Sequence, residues 1–165
     1  MFDPTIYENV KVVLEGELYD RDLEGEISII NRKDLVDLAS LSRMYKVQFN
    51  ENPYVKVTIQ LQADLVSFSA EQLQLENVDA GCEIKISFDI SISDTEECTE
   101  IEEDIRSIWG SRPSISQTVS FAFDNEDDLN SHIELEFNRR INEDQISDLS
   151  ELIEHAIQTS QLLNE

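Results

Sequence analysis

The chain contains few of the residues that interrupt secondary structure. Only four glycines and three prolines occur among its 165 residues, and no stretch rich in glycine, serine or proline divides it. Phosphate-binding loops and dinucleotide-binding fingerprints need several glycines at fixed spacing, so the sequence disfavours nucleotide-dependent catalysis. We therefore expect a single domain over residues 1–165, a length sufficient to bury a hydrophobic core.

Cysteine and histidine are equally scarce. The cysteines are Cys82 and Cys98, and the histidines are His132 and His155. Two separated cysteines make neither a disulfide framework nor a zinc site, and they indicate reduced thiols in a cytoplasmic protein. The motifs HExxH, GxSxG and CxxC are absent from the sequence. It therefore predicts no catalytic residue, no metal ligands and no cofactor, and it favours a protein that is not an enzyme.

Long hydrophobic runs are absent as well. No apolar segment approaches the roughly 20 residues that a membrane-spanning helix requires. The first ten residues, MFDPTIYENV, have neither the basic start nor the apolar centre of a secretory signal. We expect a cytoplasmic protein that does not associate with membranes.

Basic residues are few compared with acidic residues. The chain carries 36 acidic and 12 basic residues, for a formal net charge of −24. Residues 1–82 hold 15 acids and 7 bases, whereas residues 83–165 hold 21 acids and 5 bases. Nucleic-acid binding depends on lysine and arginine contacts to phosphate, so direct nucleic-acid binding is disfavoured. A protein with this excess of acidic residues has a negatively charged surface, which attracts basic proteins.

What the sequence does contain is extensive alternation of apolar and polar residues. The alternating apolar positions are Val10, Val12 and Leu14; Val55, Val57, Ile59 and Leu61; Ile84, Ile86, Phe88, Ile90 and Ile92; Ile115, Val119, Phe121 and Phe123; and Ile133, Leu135 and Phe137. A period of two with one polar face is typical of antiparallel strands that are covered on one side and solvated on the other.

Three segments show helical spacing instead. They span about 32–44, 95–109 and 143–163, and residues 64–82 fit neither period clearly. A strand–helix–strand–strand unit would then occur twice, at about 24–63 and 83–138, as a pseudo-repeat. Asn142 and Gln145 resemble a capping box at the start of the third helix.

These patterns predict an α+β protein. We expect a single domain with a twisted antiparallel sheet of about six or seven strands, three helices largely on one face, and a long C-terminal helix. A helix-grip arrangement is the alternative, in which the sheet wraps around that helix and encloses a cavity. Such a cavity would hold a small molecule, so a ligand-binding or enzymatic domain is the second function that we consider.

The second predicted helix concentrates acidic residues. Seven of the eleven residues from Asp94 to Asp104 are acidic, and i,i+4 pairs of like charge repel by roughly 0.2–0.5 kcal/mol each. A further cluster occupies the predicted hairpin loop at 124–128. We predict that both clusters dock a basic protein, through Glu96, Glu100, Glu103, Asp104, Asp124, Glu126, Asp127 and Asp128.

Other features leave alternatives open. Trp109 and Arg112 are residue types enriched at binding hot spots, although Trp109 would also suit a packing role at a helix end. Immunity proteins that neutralise basic toxins, and nucleic-acid mimics, share this charge logic, and the likeness is one of charge alone. A divalent-metal protein is the third function considered, although Leu129 stands where a calcium-binding EF-hand loop needs glycine. The sequence also permits a homo-oligomer.

Overall fold

The computed structural model describes residues 5–74 and 80–164. The helices are α1 (Thr5–Leu23), α2 (Leu65–Leu73), α3 (Glu97–Trp109) and α4 (Leu149–Leu163), with a 3₁₀ helix over Glu143–Asp148 leading into α4. The strands are β1 (Ser28–Asp37), β2 (Ser42–Asn52), β3 (Val55–Ala63), β4 (Cys82–Ile92), β5 (Ser114–Ala122) and β6 (Asn125–Ile141). The strands form one antiparallel sheet in the order β1-β2-β3-β4-β6-β5. The predicted α+β class is confirmed, and the described residues form four α-helices where three helices were expected.

One face of the sheet carries the hydrophobic core. Helices α1, α3 and α4 bury their apolar stripes in the same cluster as this face, and α4 contacts β2 and β3 as well as α1 and α3. The buried strand residues include Val57, Ile59 and Leu61 of β3, Ile84, Ile86 and Phe88 of β4, and Ile133 and Leu135 of β6. The polar residues between them point to the opposite, open face, as period-two alternation requires.

The first helix occupies a segment for which a strand was predicted. Val10, Val12 and Leu14 alternate in the sequence, yet they lie in α1, so that prediction is wrong. The buried residues of α1 are Tyr7, Val10, Leu14 and Leu18, spaced as one face of a helix requires. Val12, which a strand would bury beside Val10, is 61% exposed.

The helix predicted over 32–44 is also wrong, because these residues form a β-hairpin made of β1, a tight turn and the start of β2. The carboxylate of Asp37 accepts hydrogen bonds from the backbone N–H groups of Ala39 at 2.9 Å and Ser40 at 3.3 Å. Leu41 then takes a left-handed conformation, with φ of 55°. Such local side-chain capping favours a turn over a continuous helix.

The other two predicted helices are confirmed as α3 and α4. The backbone N–H of Asn142 donates to Gln145 Oε1 at 2.8 Å, as a capping box requires. The pseudo-repeat is not confirmed. Its second unit, at 83–138, has the predicted order of elements, whereas its first unit, at 24–63, has no helix.

The segment without a clear period, 64–82, contains α2. Asp64 caps this helix by accepting a hydrogen bond from the Ser67 backbone N–H at 2.7 Å. The Ser67 hydroxyl in turn accepts from the Gly81 N–H at 3.0 Å, which ties α2 to the start of β4. Residues 75–79 of this segment lie outside the described part of the chain.

Candidate functional site

Helix α3 presents two opposite faces. Ile101 and Ile105 are buried in the core. Four acids, which we call the acidic helix face, lie together on the other side, within an arc of about 100° at 3.6 residues per turn. They are Glu96, Glu100, Glu103 and Asp104. The sequence therefore places these carboxylates correctly, away from the hydrophobic stripe.

The acidic helix face keeps its negative charge within the described part of the chain. Within residues 5–74 and 80–164, none of its four carboxylates takes part in an ion pair. Arg106 is the basic residue of the last turn, and it donates to the carbonyl oxygens of Gly110 at 3.1 Å and Pro113 at 2.6 Å. It therefore closes the C-terminal end of α3 and leaves the face negatively charged.

The second acidic cluster lies on a projecting hairpin. The last residue of β4, Ile92, pairs with Leu129 of β6, and the described strands extend the β5–β6 pair beyond that point as a two-stranded ribbon. We call residues 121–128 the hairpin arm, and all eight of them are exposed. Its acids are Asp124, Glu126, Asp127 and Asp128. The loop predicted over 124–128 is wrong beyond Asp124, because the turn lies at 123–124 and the other three acids belong to β6.

The hairpin arm also exposes two phenylalanines. Alternation predicts Phe121 and Phe123 on the buried face of a strand, and the structure contradicts this, since Phe121 is 54% and Phe123 is 92% exposed. The alternation is real, but the arm extends past β4, and nothing among the described residues covers it. Single exposed apolar residues are ordinary on a protein surface. Two aromatic rings among four acids form a more specific surface.

The two acidic clusters occupy the same end of the molecule. The chain leaves β4 at Ile92, beside the base of the hairpin arm, and enters α3 five residues later at Glu97. Gln117 of β5 donates through Nε2 to the carbonyl oxygen of Cys98 at 2.7 Å, which holds the first turn of α3 against β5. We call the acidic helix face and the hairpin arm together the acidic end.

The two candidate hot-spot residues lie outside the acidic end. Trp109 donates through Nε1 to Thr159 Oγ1 at 2.8 Å, and its ring lies 5.4 Å from that of His155 and 5.7 Å from that of Phe137. These contacts join α3 to α4 and β6. Arg112 is exposed in the loop that follows α3. The structure thus gives Trp109 an intramolecular packing role.

Two titratable side chains that could serve as catalytic groups, His132 and Cys82, are either paired with carboxylates or buried. His132 lies on the open face, with Nδ1 2.8 Å from Asp89 and Nε2 3.1 Å from Glu134. Burial lowers the pKa of His132, but these two carboxylates outweigh it and raise the pKa above its ordinary value. Burial, with smaller contributions from Glu71 and Glu83, raises the pKa of Cys82 to about 12. Neither group has the environment of an activated nucleophile.

The cavities beside the described residues differ in size and lining. One of about 350 Å³ lies at the end of α4, beside Tyr54, Ile90 and Leu163. Between the sheet and the start of α4, beside Ile84 and Leu149, lies a cavity of about 80 Å³, far below the 300–1,000 Å³ of typical ligand sites. A depression of about 580 Å³ on the open face is lined mainly by charged and amide side chains, including Lys85, Glu136 and Arg140. Among the described residues, no three His, Cys, Asp or Glu side chains group to hold a metal ion.

Comparisons of this chain with protein-family models, with curated protein sequences and with solved structures each find no match. None of the described helices combines the length and the apolar character needed to cross a bilayer.

Proposed function

We propose that the chain is a non-enzymatic protein-interaction module whose acidic end docks a basic protein surface. The observation that carries the proposal is the hairpin arm, where the exposed rings of Phe121 and Phe123 lie among four carboxylates. Aromatic residues, phenylalanine among them, are enriched in the buried centres of protein interfaces. The partner would offer an apolar recess surrounded by lysine or arginine.

The two components of this surface have different tasks. The carboxylates of the acidic end attract a basic partner over a distance and raise the association rate, as charge complementarity does at other interfaces. The phenylalanine rings bury apolar area after contact, and such buried contacts govern the dissociation rate. Removing charge should therefore slow association, whereas removing a ring should speed dissociation.

A cytoplasmic location belongs to the same proposal. Both cysteines are free thiols, with Cys82 buried in the core and Cys98 partly exposed on α3, which suits a reducing compartment.

The test is affinity capture from host lysate with matched variants. Wild-type chain should retain a basic protein at low salt and release it at high salt, because exposed charge contacts are screened. Phe123→Ser should lose that protein at every salt concentration. Changing the four arm acids to amides, in D124N/E126Q/D127N/D128N, should weaken capture mainly at low salt.

The matched control removes the same amount of charge elsewhere. Asp20, Glu24, Glu143 and Asp148 are exposed and lie outside the acidic end, so D20N/E24Q/E143Q/D148N should capture the partner nearly as well as wild type. Equal loss in the control and the arm variant would show that only net charge matters. Retention by Phe123→Ser would refute the role of the arm as an anchor.

A further inference from the structure

The open face of the sheet gathers the lysines of this acidic chain. Four of the five lysines, at positions 33, 46, 56 and 85, point to this face, because each belongs to the polar set of its strand. Lys33 and Lys46 are directly opposed on neighbouring strands, an arrangement that destabilises a sheet. Within the described part of the chain, Lys46 and Lys56 form no ion pair.

The inner four strands divide this face into two halves of opposite charge. The charged and amide residues that strands β2 and β3 place on it at paired positions are Lys46, Gln48, Asn50, Lys56, Gln60 and Gln62. Glu51 of β2 lies in the bulge between Phe49 and Asn52, outside these paired positions. Strands β4 and β6 contribute its acids, Glu83, Asp89, Glu134 and Glu136, beside Lys85, His132 and Arg140. The boundary runs between β3 and β4, which is the midline of the six-stranded sheet.

The strand register fixes which residues share a row across the sheet. Lys46, Gln60, Lys85 and Glu136 form one row, from β2 to β6. Lys46 and Glu136 are separated by three strand spacings, or about 14 Å at 4.8 Å each. They therefore make no contact within one chain.

We propose that the open face binds the open face of a second copy of this chain, around a two-fold axis that runs along the midline parallel to the strands. Such an axis keeps each row level and exchanges the two halves, so β2 lies over β6 and β3 over β4 of the second copy. Lys46 then meets Glu136 of the second copy, and Lys56 meets Asp89.

The remaining central pairs are also compatible. They are Gln60 with Lys85, Gln62 with Glu83, Gln48 with Glu134, and Thr58 with Ser87, in each case with the second residue on the second copy. No like charges meet in these pairs, and an interface of this kind is isologous, as two-fold dimers require. Since the halves complement each other, a second copy fits this face better than a uniformly acidic or basic partner.

The area of the face agrees with a stable dimer. Six strands spaced about 4.8 Å apart give the width of the face. Four rows on one face span eight residues along each strand, at about 3.3 Å per residue, and width times length is about 760 Å² per copy. Standard protein interfaces bury about 800 Å² on each partner. The acidic end plays no part in this inference, so the two proposals can fail separately.

The test is the solution mass of the full chain across a range of protein concentrations at physiological salt. Light scattering after size-exclusion chromatography should give twice the chain mass of 19.0 kDa. Lys46→Glu and Glu136→Lys should each raise the dissociation constant by roughly 100-fold, because two symmetric contacts become repulsive. Glu136→Lys also removes the ion pair of 3.3 Å with Lys85 of the same chain, so urea unfolding first checks that this variant folds. The double variant K46E/E136K should restore the dimer, and only a contact between copies explains such a rescue across about 14 Å.

A control and a milder variant complete the design. Arg112→Glu makes the same charge change as Lys46→Glu, outside the strands of the open face, and should leave the dimer intact. If Lys46→Glu does not fold, Lys46→Gln should still weaken association. A monomeric wild-type chain, single variants that remain fully dimeric, or folded double variants that stay monomeric would each overturn the proposal.

Discussion

At the scale of single residues, the carboxylate of Asp34 joins three elements of the fold. It accepts hydrogen bonds from Lys11 Nζ at 2.7 Å, Arg43 Nη2 at 3.0 Å and the Tyr7 hydroxyl at 3.1 Å. Glu8 of α1 pairs with both cations at 3.0 Å. Burial raises the pKa of Asp34, but the bonds from Lys11 and Arg43 outweigh it and hold the pKa below its ordinary value. This group fastens α1 to β1 and β2.

We expect Asp34→Asn to lower the free energy of unfolding by about 1–2 kcal/mol at neutral pH, since it removes charge-assisted hydrogen bonds that are only partly exposed. A carboxyl whose folded pKa is depressed contributes stability above its unfolded pKa and loses it as the pH falls through the folded value. The difference in free energy of unfolding between wild type and variant should therefore shrink as the pH falls below 3.8, the ordinary pKa of an aspartate carboxyl.

Urea unfolding of both proteins at neutral and acid pH checks this prediction. A difference that stays constant on acidification would mean that the carboxylate charge contributes nothing, and that only the shape of the side chain matters.

At the scale of secondary-structure elements, the carboxylates on the exposed side of α3 repel one another without contributing to the stability of the fold. Glu96, Glu100 and Glu103 are exposed and unpaired among the described residues. Changing all three to Gln should leave the fold intact and raise the free energy of unfolding by about 0.5 kcal/mol, by relieving like-charge pairs. Part of the gain is offset because acids in the first turn favour the helix dipole.

Glu97→Gln is the matched control on the same helix. Its carboxylate accepts the backbone N–H of Ser93 at 3.1 Å, so the variant should lose stability by about 0.5–1 kcal/mol. Thermal and urea unfolding of both variants checks the pair. A large loss in the triple variant would show that the acidic helix face is structural, which would weaken the docking proposal.

The secondary-structure elements also show which parts of the fold the sequence predicts. Long alternating runs identify β3, β4 and β6 and their buried faces, as Ile86 and Phe88 of β4 confirm. The three alternating residues of α1 fail, because Val10 and Leu14 also fit a helix and only the exposure of Val12 separates the two. The β1–β2 turn depends on the Asp37 side chain, which a periodicity argument does not register.

The candidate site divides in the same way. The opposition of acids and isoleucines on α3 is local and is visible in the helical spacing. The joining of that face with the hairpin arm is tertiary, because it depends on the pairing of Ile92 with Leu129. The exposure of Phe123 depends on how far β5 and β6 outrun β4. The charge halves of the open face depend on strand order, which no single segment encodes.

At the scale of the whole molecule, the charge of −24 opposes the compact state. The positive charge is also distributed unevenly: Lys46 and Lys56 lie on the open face, and no lysine occurs beyond Lys85. The acids of the acidic end form no ion pair with the other residues that the structure describes. Folding brings these like charges closer than they are in the unfolded chain, so mutual repulsion reduces stability.

Salt should therefore stabilise the chain. Raising sodium chloride from low to moderately high concentration should increase the free energy of unfolding by about 1–2 kcal/mol, because the screening length falls to a few ångströms and long-range repulsion is lost. Urea is the appropriate denaturant, since guanidinium chloride is itself a salt. An unchanged slope of free energy against urea would show that the salt acts on stability and not on compactness. Repeating the titration at two protein concentrations separates any contribution from association. A midpoint that falls with salt would mean that attractive ion pairs, such as those of Asp34, outweigh the net repulsion in this fold.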